Sequence, residues 1–116
     1  MGTVNYYTRA ANVVGGYSEL NKFNKLYMIP GYGHCFGVGS LSATNALPAD
    51  LNSVPLPAPD QLFNALVDWV EKGVAPGSLE LKSANGGVSM PVCPYPQKAN
   101  YKGSGSVTAA SSYSCS

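Results

Sequence analysis

The feature that most limits how this chain can fold is one short run, Lys25-Leu26-Tyr27-Met28-Ile29, apolar throughout after its first residue. Unbroken apolarity over that length predicts a strand covered on both faces, as in a parallel sheet. Such a strand needs hydrogen-bonding neighbours on both edges, because a buried amide or carbonyl left unpaired costs free energy. The remaining sequence offers two helices and a peripheral hairpin, which cannot cover both faces of a sheet that is not there. At 116 residues the chain has the length of one small domain. Its elements nevertheless predict a piece of a larger α/β protein: the last parallel strand, a loop at its carboxyl end, a covering helix and a C-terminal extension.

The other elements are read from period and punctuation. Residues 3–14 predict a short amphipathic helix, with Thr3 as N-cap, Val4, Tyr7, Ala11 and Val14 on one face, and Gly15-Gly16 as its stop. After the apolar run comes Pro30-Gly31-Tyr32-Gly33-His34-Cys35-Phe36-Gly37-Val38-Gly39, which has no period and reads as loop. Residues 40–58, with Pro48, Pro55 and Pro57, form a connection longer than compact domains usually leave without structure. The clearest helix is Pro59–Gly73. Pro59 suits its first turn, Asp60 its positive end, Lys72 its last turn and Gly73 its stop. Leu62, Phe63, Leu66, Val67 and Val70 make its apolar stripe. Leu79–Ser83 and Val88–Val92 flank Asn85-Gly86-Gly87 and predict a β-hairpin. The tail Gly103–Ser116 holds six serines and no charge. Left free it would be disordered. A Cys93–Cys115 bridge would tie it down.

Composition excludes several kinds of function. A net charge of +1 leaves no basic stripe for nucleic acid and no acidic tail. No apolar run approaches the roughly 18 residues a membrane span requires, and the start, Met1-Gly2-Thr3-Val4-Asn5-Tyr6-Tyr7, is not a signal peptide. Charged residues are only 11% of the chain, against about 25% in an ordinary soluble domain. Glycine, serine, asparagine and tyrosine carry the solvation instead, which suits an extracellular surface. With three cysteines, a Cys93–Cys115 pair would leave Cys35 odd, and an odd cysteine in a secreted setting implies a partner elsewhere. Three reduced thiols in a cytosolic domain is the other reading.

His34, the sole histidine, follows the apolar run within a glycine-rich loop. Carboxyl ends of strands are where open α/β sheets do their chemistry, so His34 is the first candidate for a functional group; a solvated loop histidine is the plain alternative. Cys35 is a poor nucleophile for His34, since adjacent side chains in a turning loop diverge. A disulfide from Cys35 to a residue outside the chain would instead pin the loop. A metal site is weakly supported, with one histidine and no Cys-x-x-Cys. No Gly-x-Ser-x-Gly elbow exists. Asp50, Asp60 and Asp68, the only aspartates, read as solvated charges. Trp69 lies one position off the helix stripe and reads as core edge.

Several blocks together resemble one family. Leu26-Tyr27-Met28-Ile29-Pro30-Gly31-Tyr32-Gly33-His34-Cys35 is similar to the histidine segment of the tannase and feruloyl esterase family of α/β-hydrolases, in which an apolar strand runs into Pro-Gly-x-Gly-His-Cys. The resemblance begins at Tyr6-Tyr7. It continues through Leu66–Pro76, Cys93-Pro94-Tyr95-Pro96, Tyr101-Lys102-Gly103-Ser104-Gly105 and Cys115. Residues 36–58 depart from it, being longer and richer in proline. The fold implied is the C-terminal part of an α/β-hydrolase catalytic domain over residues 1–116. The upstream strands, nucleophile, acid and lid would precede Met1.

The same resemblance implies that His34 is the histidine of a Ser, Asp, His triad, and that Cys35 pairs with a cysteine beside the upstream serine. It implies a secreted enzyme acting on galloyl or feruloyl esters, with the missing N-terminal portion as partner. No cofactor is expected in this segment, the calcium common in the family belonging to the lid. The chain alone is then expected to be inactive. A non-catalytic, disulfide-tied binding or assembly module is the alternative, and a free-standing Cys35/His34 thiol enzyme a more remote one.

Overall fold

The computed structural model describes residues 2–30, 32–33, 37–38 and 53–116, with residues 32–33 and 37–38 described by backbone alone. Helix α1, Gly2–Val14, is followed by the short α2, Tyr17–Leu20. Strands β1, Tyr32–Gly33, and β2, Gly37–Val38, pair antiparallel. Strand β3, Pro55–Leu56, precedes helix α3, Gln61–Lys72. Strands β4, Leu79–Ser83, and β5, Ser89–Val92, complete a sheet in the order β3-β4-β5, and β6, Ala99–Tyr101, pairs with β7, Tyr113–Cys115.

The hairpin β4–β5 carries much of the burial. Leu79, Leu81 and Ser83 point inward while Glu80 and Lys82 face solvent, the period-two alternation of a half-covered strand. The turn works as its sequence predicts. Gly86 takes a φ of 71°, and the Asn85 side-chain oxygen Oδ1 accepts from the Gly87 amide at 2.9 Å and from the Ser83 hydroxyl at 2.8 Å. Ser89, rather than Val88, opens the second strand.

α1 begins one residue earlier than predicted, so Thr3 lies inside the helix instead of capping it. Tyr7, Ala11 and Leu20 form a small core, with Tyr17, Leu26 and Tyr95 packed around it. The Tyr7 and Tyr17 rings stack at 6.0 Å, and Tyr95 meets both edge-on. α3 starts at Gln61, since Asp60 sits in the left-handed region at φ 60° and makes no capping bond. Gln61 instead ties the start of α3 to its surroundings: its side-chain oxygen accepts from the Ala58 amide at 3.0 Å, and its side-chain amide nitrogen donates to the Glu80 carbonyl at 2.9 Å. At the other end the Gly73 amide makes the last ordinary helical bond, to the Trp69 carbonyl, and Gly73 in the left-handed region at φ 69° turns the chain so that the Val74 amide reaches the Asp68 carbonyl.

The parallel neighbours expected for Lys25–Ile29 would belong to a preceding portion, and among the described residues the run makes one bridge, antiparallel, from Tyr27 to Pro94. All ladders among the described residues are antiparallel. The tail is ordered, as expected of one tied down by a Cys93–Cys115 bridge. β6 and β7 pair in register from Ala99–Cys115 to Tyr101–Tyr113. The Tyr101 and Tyr113 rings meet at 5.5 Å, and Lys98 and Ser116 exchange both backbone hydrogen bonds.

Candidate active site

His34 and Cys35 lie outside the described residues, so what can be built is the frame on either side of them. The incoming frame is Lys25–Pro30. On one edge the Leu26 carbonyl accepts from the Tyr95 amide at 2.8 Å, beside the Tyr27–Pro94 bridge. On the other side the alternation of an extended chain turns Lys25 and Tyr27 the same way, and both grip the linker between α3 and β4. The Tyr27 hydroxyl lies 2.7 Å from the Gly77 carbonyl and 3.0 Å from that of Pro76. The Lys25 ammonium donates to the Pro76 carbonyl and lies 5.5 Å from the centre of the Trp69 ring. Past Pro30, Gly33 pairs with Gly37 and Tyr32 with Val38. The backbone on either side of His34–Phe36 is thereby brought together.

The clasp was not singled out from sequence, although the signal existed: Lys25 and Tyr27 share the i, i+2 face of a strand-like run. Trp69 is half-buried under Lys25, at the edge of the packing, as its place beside the stripe suggested. Asp68 pairs with Lys72 at 2.6 Å on the exposed side of α3. Asp60 is exposed, and Asp50 lies outside the described residues. Cys93 and Cys115 are bonded to each other, with Cα atoms 5.7 Å apart. The bridge joins the end of β5 to the end of β7, one residue before the Pro94–Tyr95 edge that holds Leu26. Among the described residues no three His, Cys, Asp or Glu side chains converge.

Beside Met28 and Pro30 opens an apolar cleft of about 590 Å³, walled by Leu81, Met90, Val92 and Tyr95. Burial pushes the Tyr27 hydroxyl above its ordinary pKa, and does the same to Tyr7, whose hydroxyl donates to the Asn24 carbonyl at 2.9 Å. A phenol whose folded-state pKa is raised contributes stability that is intact below its unfolded pKa, about 10, and is lost as pH rises through the folded value. The melting temperature is accordingly expected to fall above about pH 10, and Tyr7→Phe with Tyr27→Phe to flatten that fall. Thermal melts followed by circular dichroism across the alkaline range check it. An equally steep fall in the double variant would be the contrary result.

The family model for tannase and feruloyl esterase matches residues 1–116, the entire sequence. The chain belongs to the tannase and feruloyl esterase family. Among curated members of that family, a probable feruloyl esterase B-2 of Neosartorya fischeri is 33% identical over 118 residues, covering 95% of this chain and 22% of the relative. A mono(2-hydroxyethyl) terephthalate hydrolase of Piscinibacter sakaiensis is 30% identical, covering 99% of this chain and 17% of its own. In solved structures, an esterase from Aspergillus oryzae superposes with a TM-score of 0.70 at 29% identity, over 98% of this chain and 24% of that one. A tannin acyl hydrolase from Aspergillus niger shares the fold, with a TM-score of 0.62 at 23% identity over 99% of this chain and 20% of its own. This tannase and feruloyl esterase chain thus spans about a fifth of the length of the relatives it matches.

Proposed function

We propose that this chain is the C-terminal portion of a secreted, serine-type carboxylic ester hydrolase acting on galloyl, feruloyl or related aromatic esters, and that His34 is its catalytic base. The observation that carries the reading is Pro30-Gly31-Tyr32-Gly33-His34-Cys35 following an apolar extended run, within a chain matched end to end by the family. The names of its relatives, feruloyl esterase and terephthalate ester hydrolase, favour an aromatic acyl group.

The chemistry is acyl transfer in two halves. As a serine hydroxyl of the preceding portion attacks the ester carbonyl, the His34 imidazole takes its proton. It then returns that proton to the departing alcohol or phenol oxygen as the carbon–oxygen bond breaks. Water attacks the acyl-serine in the second half, with His34 again first base and then acid. An upstream aspartate fixes the imidazole tautomer, and a disulfide from Cys35 to the cysteine beside the serine sets where the ring points. The clasp of Lys25 and Tyr27 and the Tyr95 amide supports this role, since it anchors the stem that carries the loop.

The test compares the purified 116-residue chain with the same chain fused behind, or co-expressed with, the preceding portion of a family esterase. Methyl ferulate and methyl gallate hydrolysis is expected only in the second case. Substantial His34-dependent hydrolysis by the chain alone would overturn the divided-triad reading.

A further inference from the structure

The β4–β5 turn carries a motif that the proposed ester chemistry does not use. Asn85 is the one asparagine in the sequence followed by glycine. Asn85, Gly86 and Gly87 are all exposed. Gly86 has no side chain to shield its amide nitrogen, and nothing lies within 4 Å of where a Cβ would stand. The Asn85 carboxamide is held by its oxygen. Oδ1 accepts from the Ser83 hydroxyl at 2.8 Å and from the Gly87 amide at 2.9 Å, while Nδ2 makes no hydrogen bond among the described residues. The Ser83 hydroxyl oxygen itself accepts from the Val88 amide at 2.9 Å, which leaves its proton for Oδ1. Two donors on a carbonyl oxygen stabilise the negative charge that grows there when the carbon is attacked. One contact opposes attack: the Gly86 amide donates to the Ser83 carbonyl at 2.9 Å, across the exposed turn.

We propose that Asn85–Gly86 is a self-modification site, at which the folded turn converts Asn85 to aspartate and isoaspartate through a cyclic imide. Opening of the Gly86–Ser83 hydrogen bond lets solvent base take the Gly86 amide proton. The Gly86 nitrogen then attacks Asn85 Cγ, charge builds on Oδ1 between its two donors, and the Cγ–Nδ2 bond breaks. Nδ2 leaves as ammonia, taking a proton from water. A water molecule next adds to one of the two imide carbonyls. Breaking the Cγ–nitrogen bond gives aspartate; breaking the bond from the main-chain carbonyl carbon of residue 85 gives isoaspartate. Nothing is oxidised or reduced. The two products differ in consequence. Aspartate keeps an oxygen for the Ser83 and Gly87 donors. Isoaspartate runs the main chain through an extra methylene, which breaks the Gly86–Ser83 bond and disturbs the Lys82–Ser89 register beside it. That hairpin supplies Leu81, Met90 and Val92 to the cleft next to Met28 and Pro30.

The experiment holds the 116-residue chain, alone and reunited with its preceding portion, in mildly alkaline buffer at body temperature, beside a free peptide of residues 81–90. Digestion and mass spectrometry follow the mass gain of amide turned to acid, and labelling by an isoaspartyl methyltransferase follows isoaspartate. Asn85 in the folded chain is expected to convert at a rate within about tenfold of the peptide's. It should also outpace, at least about tenfold, Asn64, whose following amide is tied into α3, and Asn100, which precedes Tyr101. Molecules bearing isoaspartate should melt lower and exchange their β4 and β5 amides faster, whereas Asn85→Asp keeps the original melting temperature. Asn85→Gln, which would have to close a six-membered ring, should stay unmodified. A folded rate more than about tenfold below the peptide's would overturn the proposal, because the Oδ1 bonds would then lock the carboxamide instead of activating it. Conversion seen only in denaturant would do the same. Ester hydrolysis is no part of these readouts, so the result stands apart from the hydrolase reading.

Discussion

His34→Ala, made in the chain reunited with its preceding portion, is expected to lower kcat for methyl ferulate by about 10⁴-fold or more. The size follows from the proposed role, in which one imidazole serves as base in both attacks and as acid in both departures, so that no half-reaction is spared its loss. KM should move little, because the histidine acts on charge that develops during bond making and not on substrate at rest. Active-site titration with a fluorophosphonate separates this from simple damage, since a folded variant retains its serine but labels slowly. A loss smaller than tenfold would remove His34 from the triad. His34→Gln should fare no better, because glutamine can hydrogen-bond but cannot carry the proton at neutral pH.

The second large effect is on stability. Replacing Cys93 and Cys115 by serine opens a bridge between residues 22 apart in sequence, and a loop of that size is worth about 3 kcal/mol in the chain-entropy description. The melting temperature should drop by roughly 10–20 °C. The loss should also be uneven. β7 and β6 hold each other through a three-residue ladder and the Lys98–Ser116 backbone pair, and their tie to β5 is short: Ser89 donating to Thr108, and Ala110 donating to the Ser89 hydroxyl at 2.9 Å. Amide exchange in residues 99–115 should therefore quicken more than in β4. Uniform acceleration, or none, would show that the bridge is incidental to the tail. The bridge also stands next to Pro94 and Tyr95, so the Leu26–Tyr95 hydrogen bond should exchange faster in the same variant.

Local features were the legible ones, and the particular residues show why. α3 and the β4–β5 turn were readable because period, a Gly73 stop and Asn85-Gly86-Gly87 act over a few neighbouring residues. Thr3 was placed as a cap but lies inside α1, and Pro59 was placed in the first turn of α3, which begins at Gln61, since where a helix starts depends on the backbone angle taken at one position. The tail was harder. Nothing in a run of serines and small residues shows which strand it will pair with; the ladder, the Lys98–Ser116 backbone pair and the Tyr101–Tyr113 contact make β6 and β7 a unit, and the bridge ties that unit to the end of β5. Of the candidate site, the motif around His34 was readable as a resemblance, and the Lys25–Tyr27 clasp was not, because its acceptors at Pro76 and Gly77 lie some fifty residues away.

Sequence by itself determined the local vocabulary: an apolar run ending in a glycine-rich histidine loop, an amphipathic helix, a tight hairpin, and cysteines placed to close the tail. Those follow from side-chain period and backbone sterics, which need no distant partner. Tertiary structure alone decided that Lys25–Ile29 borrows an antiparallel edge from Pro94 and Tyr95, and that Ala65, Leu66 and Trp69 of α3 face Lys25 and Tyr27 while Phe63 and Val70 turn outward. Burial is a property of two surfaces meeting, and a sequence read one residue after another contains only one of them.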